Sequence, residues 1–286
     1  MSHASTLQPL LFACEGETLL GILHRPSDAL AAARCGVVIV VGGPQYRCGS
    51  HRQFIQLASA LAEAGHPVLR FDVRGMGDSS GAMRSFEQLG ADIRAAIDQL
   101  LAQQPGLEQV VLCGLCDGAS AALLYLHESP DPRVRGLLLI NPWVRSTTSL
   151  ARAQVKHYYR QRLLEPAFWR KLLAGRVAVQ AFRDLLANLR AARGRGPAAA
   201  APLAFQERMA RAWNAFDGRI LLALSGNDLT AREFVEFTRA DPAWRGALER
   251  PAVLRHDLPR ADHTLSERKD QHALESITKR WLPTLV

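Results

Sequence analysis

No apolar run in the chain approaches the roughly 18 residues that a membrane-spanning helix needs. No basic segment followed by an apolar one stands near its first residues, so a secretory signal is not expected. Cysteine is sparse and odd in number. The five, Cys14, Cys35, Cys48, Cys113 and Cys116, suit free thiols in a reducing cytoplasm better than a disulfide framework. Cys113 and Cys116 do form a C-x-x-C, but no second Cys or His pair stands at zinc-ligand spacing to complete a metal site. No internal repeat is evident, which excludes solenoid and propeller architectures. Lysine is almost missing, with four in the chain, so the positive charge is written in arginine.

What is present describes a globular chain. Its 286 residues are 48% hydrophobic with mean hydropathy −0.05, enough for one α/β domain carrying an insertion. Charge is unevenly spread. Residues 145–215 hold 14 Lys/Arg against 3 Asp/Glu, a net of +11, which leaves −3 for the rest of a chain whose formal total is +8. A solvated helical face accounts for such a segment, and so does attraction of an anionic substrate or an acidic partner surface. Nothing in the sequence calls for a cofactor, a nucleic acid or a membrane partner.

Short apolar runs alternate with helical patterns, the signature of βα units and a mostly parallel central sheet flanked by helices. Strands are expected at 10–14 and 18–24, paired antiparallel, then at 36–41, 67–72, 110–113, 135–140, 219–225 and 252–257. Helices are expected at 52–64, 85–103, after residue 118, at 232–239 and at 266–281. Between 146 and about 216 the alternation stops in favour of helical, arginine- and alanine-rich sequence, with a loop at 194–202. The expected organisation is a core over 1–144, a helical cap insertion over 145–216 and the rest of the core over 217–286.

The pentapeptide Gly114-Leu115-Cys116-Asp117-Gly118 follows an apolar strand and precedes a helix. This is the strand–turn–helix setting of a nucleophile elbow. The turn is tight enough to need small residues two positions away on each side, and both are glycine. A thiol at a helix N-terminus gains from the dipole because its active form is the thiolate. A glycine-rich turn with a buried thiol is also ordinary in α/β proteins, so the pentapeptide alone does not decide.

Three further segments complete a set. Gly42-Gly43-Pro44-Gln45 follows a buried strand and is placed to offer an oxyanion N–H, from Gly43 first and Gln45 second, since Pro44 has none. The second donor is the N–H of Asp117. Asp228 ends a strong strand; it can orient a histidine, or simply cap the helix that follows. His263 lies in a loop after the last strand as a candidate general base. Asp262 is an alternative orienting carboxylate, although neighbours in sequence rarely aim at one another's ring. Pro44, Gln45, His51 and Trp143 are candidate pocket residues. Asp117 is a poor nucleophile, because the position two before it is Leu115. Nucleophile, acid and histidine therefore follow one another in hydrolase order, each at the end of a strand.

These residues resemble the α/β-hydrolase superfamily from about residue 15 onward. Asp72-Val73-Arg74-Gly75-Met76-Gly77-Asp78-Ser79 resembles its D-x-R-G-x-G-x-S segment, and Gly42-Gly43-Pro44 resembles the H-G-G-P-G loop of proline iminopeptidase-like members, with Val41 in place of histidine. The cysteine elbow is similar to that of dienelactone hydrolases. The G-G-P-Q-Y-R-x-G-S-H-R-Q-F, G-L-C-D-G-A and H-T-x-S-E-R-K-D segments are similar to the exosortase A system-associated hydrolase 1 family, which accompanies exopolysaccharide machinery. The resemblance implies an α/β-hydrolase fold with Cys116, Asp228 and His263 as triad. The expected activity is cleavage of an ester or thioester through a thioacyl-enzyme, with acyl-coenzyme A or acyl-carrier protein as candidate anionic substrates. An acyltransferase and a non-catalytic partner module on the same fold are the alternatives.

Overall fold

A computed structural model describes residues 5–27, 33–43, 45–145 and 203–285. The chain divides into two compact units, Met1–Val144 with Ala204–Val286, and Arg145–Leu203. Apart from its two end residues the second unit lies outside the described residues, and with it the expected cap up to residue 202 and the loop at 194–202.

Eight strands form one sheet in the order β1-β2-β4-β3-β5-β6-β7-β8. β1 (Thr6–Cys14) and β2 (Glu17–Arg25) make the expected antiparallel pair, and β2 meets β4 (Val68–Phe71) antiparallel. From β4 onward every pairing is parallel, through β3 (Cys35–Val40), β5 (Gln109–Leu115), β6 (Val134–Ile140), β7 (Arg219–Ser225) and β8 (Val253–Leu258). The central strands are continuous apolar runs because both of their faces are covered. Val37 and Ile39 of β3 point into one core, where α1 (Gln53–Ala62) and α6 (Arg268–Trp281) contribute Phe54, Leu61 and Trp281. Val38 and Val40 point into the other, filled by α2 (Gly90–Gln103), α3 (Asp117–Glu128), α4 (Phe205–Ala215) and α5 (Leu229–Ala240). Each fully buried side chain of this size contributes roughly 1.5–3 kcal/mol through removal of apolar area from water.

α4 falls within the span expected to be insertion, yet it belongs to the first unit. Met209 and Trp213 are fully buried, Gln206 donates to Val144 O at 3.0 Å, and Trp213 Nε1 donates to Ala247 O at 2.8 Å. Trp213 also meets Trp244 edge-on, with ring centroids 5.4 Å apart. The helical pattern at 205–215 was legible, but its apolar face gives no sign of which neighbour it covers.

The parallel registers align the carboxyl ends of the strands. Val40 lies opposite Gly114, Leu115 opposite Ile140, Ile140 opposite Ala223 and Ser225 opposite Leu258. All the candidate segments therefore emerge on one edge of the sheet, where open α/β sheets bind their ligands.

Candidate active site

β5 ends at Leu115 and α3 begins at Asp117, so Cys116 alone makes the reversal. Its backbone, at φ 59° and ψ −123°, occupies a region that costs a side-chain-bearing residue on the order of 1–3 kcal/mol unless its surroundings hold it. Here they do. The Cys116 N–H donates to Ile140 O at 2.9 Å, and its carbonyl accepts from the N–H groups of Ala119 and Trp143 at 3.1 and 3.2 Å. The turn closes because its flanking glycines carry no side chain. A Cβ on Gly114 would stand 2.4 Å from Gly118 C, and one on Gly118 would stand 2.5 Å from Val40 O.

Cys116 is partly exposed and opens onto a cavity of about 270 Å3 whose apolar wall is Phe54, Leu115 and Trp143. Gly42, Gly43, Gln45, Asp117 and His263 complete the lining. The other member of the C-x-x-C faces away into the core. Cys113 is fully buried, and burial pushes its thiol up to about 12.

His263 Nδ1 and Asp228 Oδ2 are 2.9 Å apart. The hydrogen bond to Asp228 is the largest of the influences that raise the imidazole from 6.5 to about 10; the neighbouring Cys116 adds to it against the cost of burial. Nδ1 is committed to Asp228, so Nε2 is the ring nitrogen left for the sulfur. Asp228 also accepts from the N–H groups of Thr230 and Ala231, at 3.1 Å each. One carboxylate thus caps α5 and holds the histidine. Burial works to raise its carboxyl, but the bond and charge of His263 and these two N–H groups outweigh it and hold it below its ordinary value. Asp262 turns to its own loop, accepting from Ser266 N at 2.9 Å and Thr264 N at 3.2 Å.

The loop after β3 departs from expectation. The Gly43 N–H, the first-choice oxyanion donor, donates to Asp117 Oδ2 at 2.7 Å. Gln45 and Trp143 do line the cavity, whereas His51 is exposed and does not; Phe54, one turn later, takes that wall. Pro44 lies outside the described residues. The loop is anchored from β4: buried Asp72 accepts from Arg47 N at 2.7 Å and from the Arg47 guanidinium, and from Asp78 N at 2.9 Å. The D-x-R-G-x-G-x-S segment is in this way the clamp of the loop beside the elbow. Its Arg74 forms a buried pair with Asp92 at 2.7 Å.

Asn141 was not among the expected site residues. Fully buried at φ 46°, it donates from Nδ2 to Ser225 Oγ at 3.0 Å and to His263 O at 3.2 Å, and its Oδ1 accepts from Ser225 N at 2.8 Å. One amide side chain therefore joins the ends of β6 and β7 to the histidine loop. An asparagine ending an apolar strand was the available signal, since Asn tolerates the left-handed region better than other side-chain-bearing residues. Beyond it, Trp143 is tied to the elbow through its N–H to Cys116 O and through Ser120 Oγ, which donates to Trp143 O at 2.6 Å.

The family described as serine aminopeptidase, S33, matches residues 32–216. No curated protein matches the chain. Among solved structures it is similar to an esterase of Pyrococcus furiosus, at 16% identity and a TM-score of 0.64, over 98% of this chain and 93% of that one. A dienelactone hydrolase from Anabaena variabilis shares 16% identity with a TM-score of 0.62 over 99% of both chains. A Butyrivibrio proteoclasticus protein solved with ferulic acid bound shares 14% identity with a TM-score of 0.61, over 96% of this chain and 98% of that one. These likenesses concern the fold, while the family match spans well over half of the 286 residues; with its parallel sheet, its elbow and its strand-end loops, the chain belongs to the serine aminopeptidase S33 family of α/β hydrolases.

Proposed function

We propose that this hydrolase cleaves an ester or thioester through a Cys116–His263–Asp228 triad. The observation that carries the reading is the His263–Asp228 contact of 2.9 Å, on a ring that lines the same cavity as Cys116 at the N-terminus of α3. A histidine held in its charged form, together with the N-terminus of α3, supplies the positive environment in which a cysteine nucleophile attacks. The Cys116 thiolate adds to the acyl carbonyl, forming the C–S bond and placing the electron pair on oxygen. Collapse expels the alcohol or thiol, which takes its proton from His263. Water, deprotonated by His263, then releases the acid and restores the thiolate. Asp228 orients the ring and stabilises its charge.

A thiolate leaves more readily than an alkoxide, so the chemistry suits thioesters and acyl transfer to a second acceptor as well as simple esters. The net +11 of residues 145–215 supports an anionic carrier such as acyl-coenzyme A or acyl-carrier protein. The likeness of the Cys116 and His263 segments to exosortase-associated hydrolases supports a role beside exopolysaccharide production, where the acceptor would be a saccharide or lipid hydroxyl. Intact-mass analysis with 4-nitrophenyl acetate tests the triad. Acylation is expected to persist in Cys113→Ala and to vanish in Cys116→Ala; equal labelling of both variants rejects the assignment.

A further inference from the structure

Asp117 directly follows the nucleophile, and its carboxylate sits where the oxyanion of the proposed acyl transfer would be expected. Oδ2 accepts the Gly43 N–H at 2.7 Å. This is the donor after β3 that a tetrahedral intermediate on Cys116 would need. The fit is close. A Cβ on Gly42 would stand 2.1 Å from Asp117 Oδ1 and 2.3 Å from Gly118 N, so the carboxylate fills the space that glycine leaves open. The side chain also lines the same cavity as Cys116 and His263.

We propose that the Asp117 carboxylate is an internal competitor for the oxyanion site, and that acylation of Cys116 proceeds only after this side chain has left the Gly43 N–H. The proposal rests on the cysteine-triad reading above. A carboxylate and an oxyanion are both acceptors of one negative charge, and the Gly43 N–H cannot serve the two together. Their mutual repulsion adds to the conflict. The occupant is not deeply held. Burial works against the charged carboxylate, and its opposing influences (Gly43, its own N–H, Gly118 and the charge of His263) do not fully offset that burial, so its carboxyl remains above its ordinary value. Departure therefore recovers the hydration that burial withholds, and the substrate carbonyl inherits the freed Gly43 N–H.

Asp117→Asn tests this with little change of shape, because an amide oxygen still accepts from Gly43 but carries no charge. Charge-assisted hydrogen bonds are roughly twice as strong as neutral ones, so the site is vacated more easily. With 4-nitrophenyl acetate, the rate of Cys116 acylation, followed by the 4-nitrophenolate burst and by intact mass, is expected to rise by about fivefold or more. In Asp117→Ala it is expected to rise at least as far. Trifluoroacetophenone, which forms a tetrahedral adduct with the thiolate, is expected to bind both variants more tightly by a similar factor. Acylation that is unchanged or slower in both variants, with the adduct still on Cys116, overturns the competitor role and leaves the triad standing; the carboxylate is then a clamp on the loop. An absence of any Cys116 adduct in the parent and in both variants overturns the triad, and this proposal with it.

Discussion

Replacement of Asn141 offers the most demanding test of how the site is held together. Alanine at this position removes Oδ1 from the buried Ser225 N–H and Nδ2 from Ser225 Oγ and His263 O. A buried N–H left without a partner costs about 1–3 kcal/mol. The backbone stands at φ 46°, and a Cβ without the local hydrogen bonding of asparagine adds about 1–2 kcal/mol in that region. Asn141→Ala is therefore expected to destabilise the protein by roughly 2–5 kcal/mol. Asn141→Gly lacks the same side-chain bonds but is at ease in the left-handed region, so it should be about 1 kcal/mol less destabilised than the alanine variant. Urea unfolding followed by tryptophan fluorescence measures both. Because the His263 carbonyl loses its anchor, kcat on an activated ester should fall in both variants by more than KM rises. The reasoning is refuted if the alanine variant is as stable as the parent, or if glycine and alanine are equally destabilised.

Two further outcomes follow from the same contacts. His263 is raised from 6.5 to about 10, chiefly by Asp228, so the stability from its charged ring is complete below about 6.5 and is lost as pH climbs through about 10. Asp228→Asn should flatten that decline and move the ring's NMR titration back toward the ordinary imidazole range; an unmoved titration would show that Asp228 is not its partner in solution. Arg74→Met strands the fully buried Asp92 carboxylate at a cost of about 3–5 kcal/mol. Adding Asp92→Asn should restore part of this in thermal melts, because the amide keeps a partner for the Arg74 N–H while removing the charge. Equal melting temperatures for the single and double variants would argue against a buried charge as the cause.

Much of the fold was legible because its signals are local. The fully buried strands are short apolar runs, and the structure moves their ends by only one or two residues: 36–41 becomes Cys35–Val40 and 219–225 is unchanged as Arg219–Ser225. The helix expected from 85 starts later, at Gly90, because Ser85 caps a separate 3-10 turn, Phe86–Gln88, by accepting from Glu87 N. A capping serine announces a turn of N–H groups without saying whether the turn continues. Asp228 rather than Asp262 stands 2.9 Å from the His263 ring, since residues adjacent in sequence rarely face one another. Capping the helix and orienting a histidine look like competing explanations for Asp228 in the sequence, but a carboxylate has enough lone pairs for both.

The order of the elements, the glycine-flanked cysteine at the end of β5, and the placing of Asp228 and His263 at the ends of later strands were all written in the sequence. Short apolar runs, turn glycines and caps act over a few residues, and the parallel strands gather their carboxyl ends onto one edge. What those ends do to one another was decided only by the tertiary structure. The Gly43 N–H and the Asp117 carboxylate are 74 residues apart, and the Asn141 amide and the His263 carbonyl are 122 apart. Each pair is joined by a hydrogen bond that depends on a few tenths of an ångström. Strand register and loop packing set such distances, and no local pattern of residues encodes them.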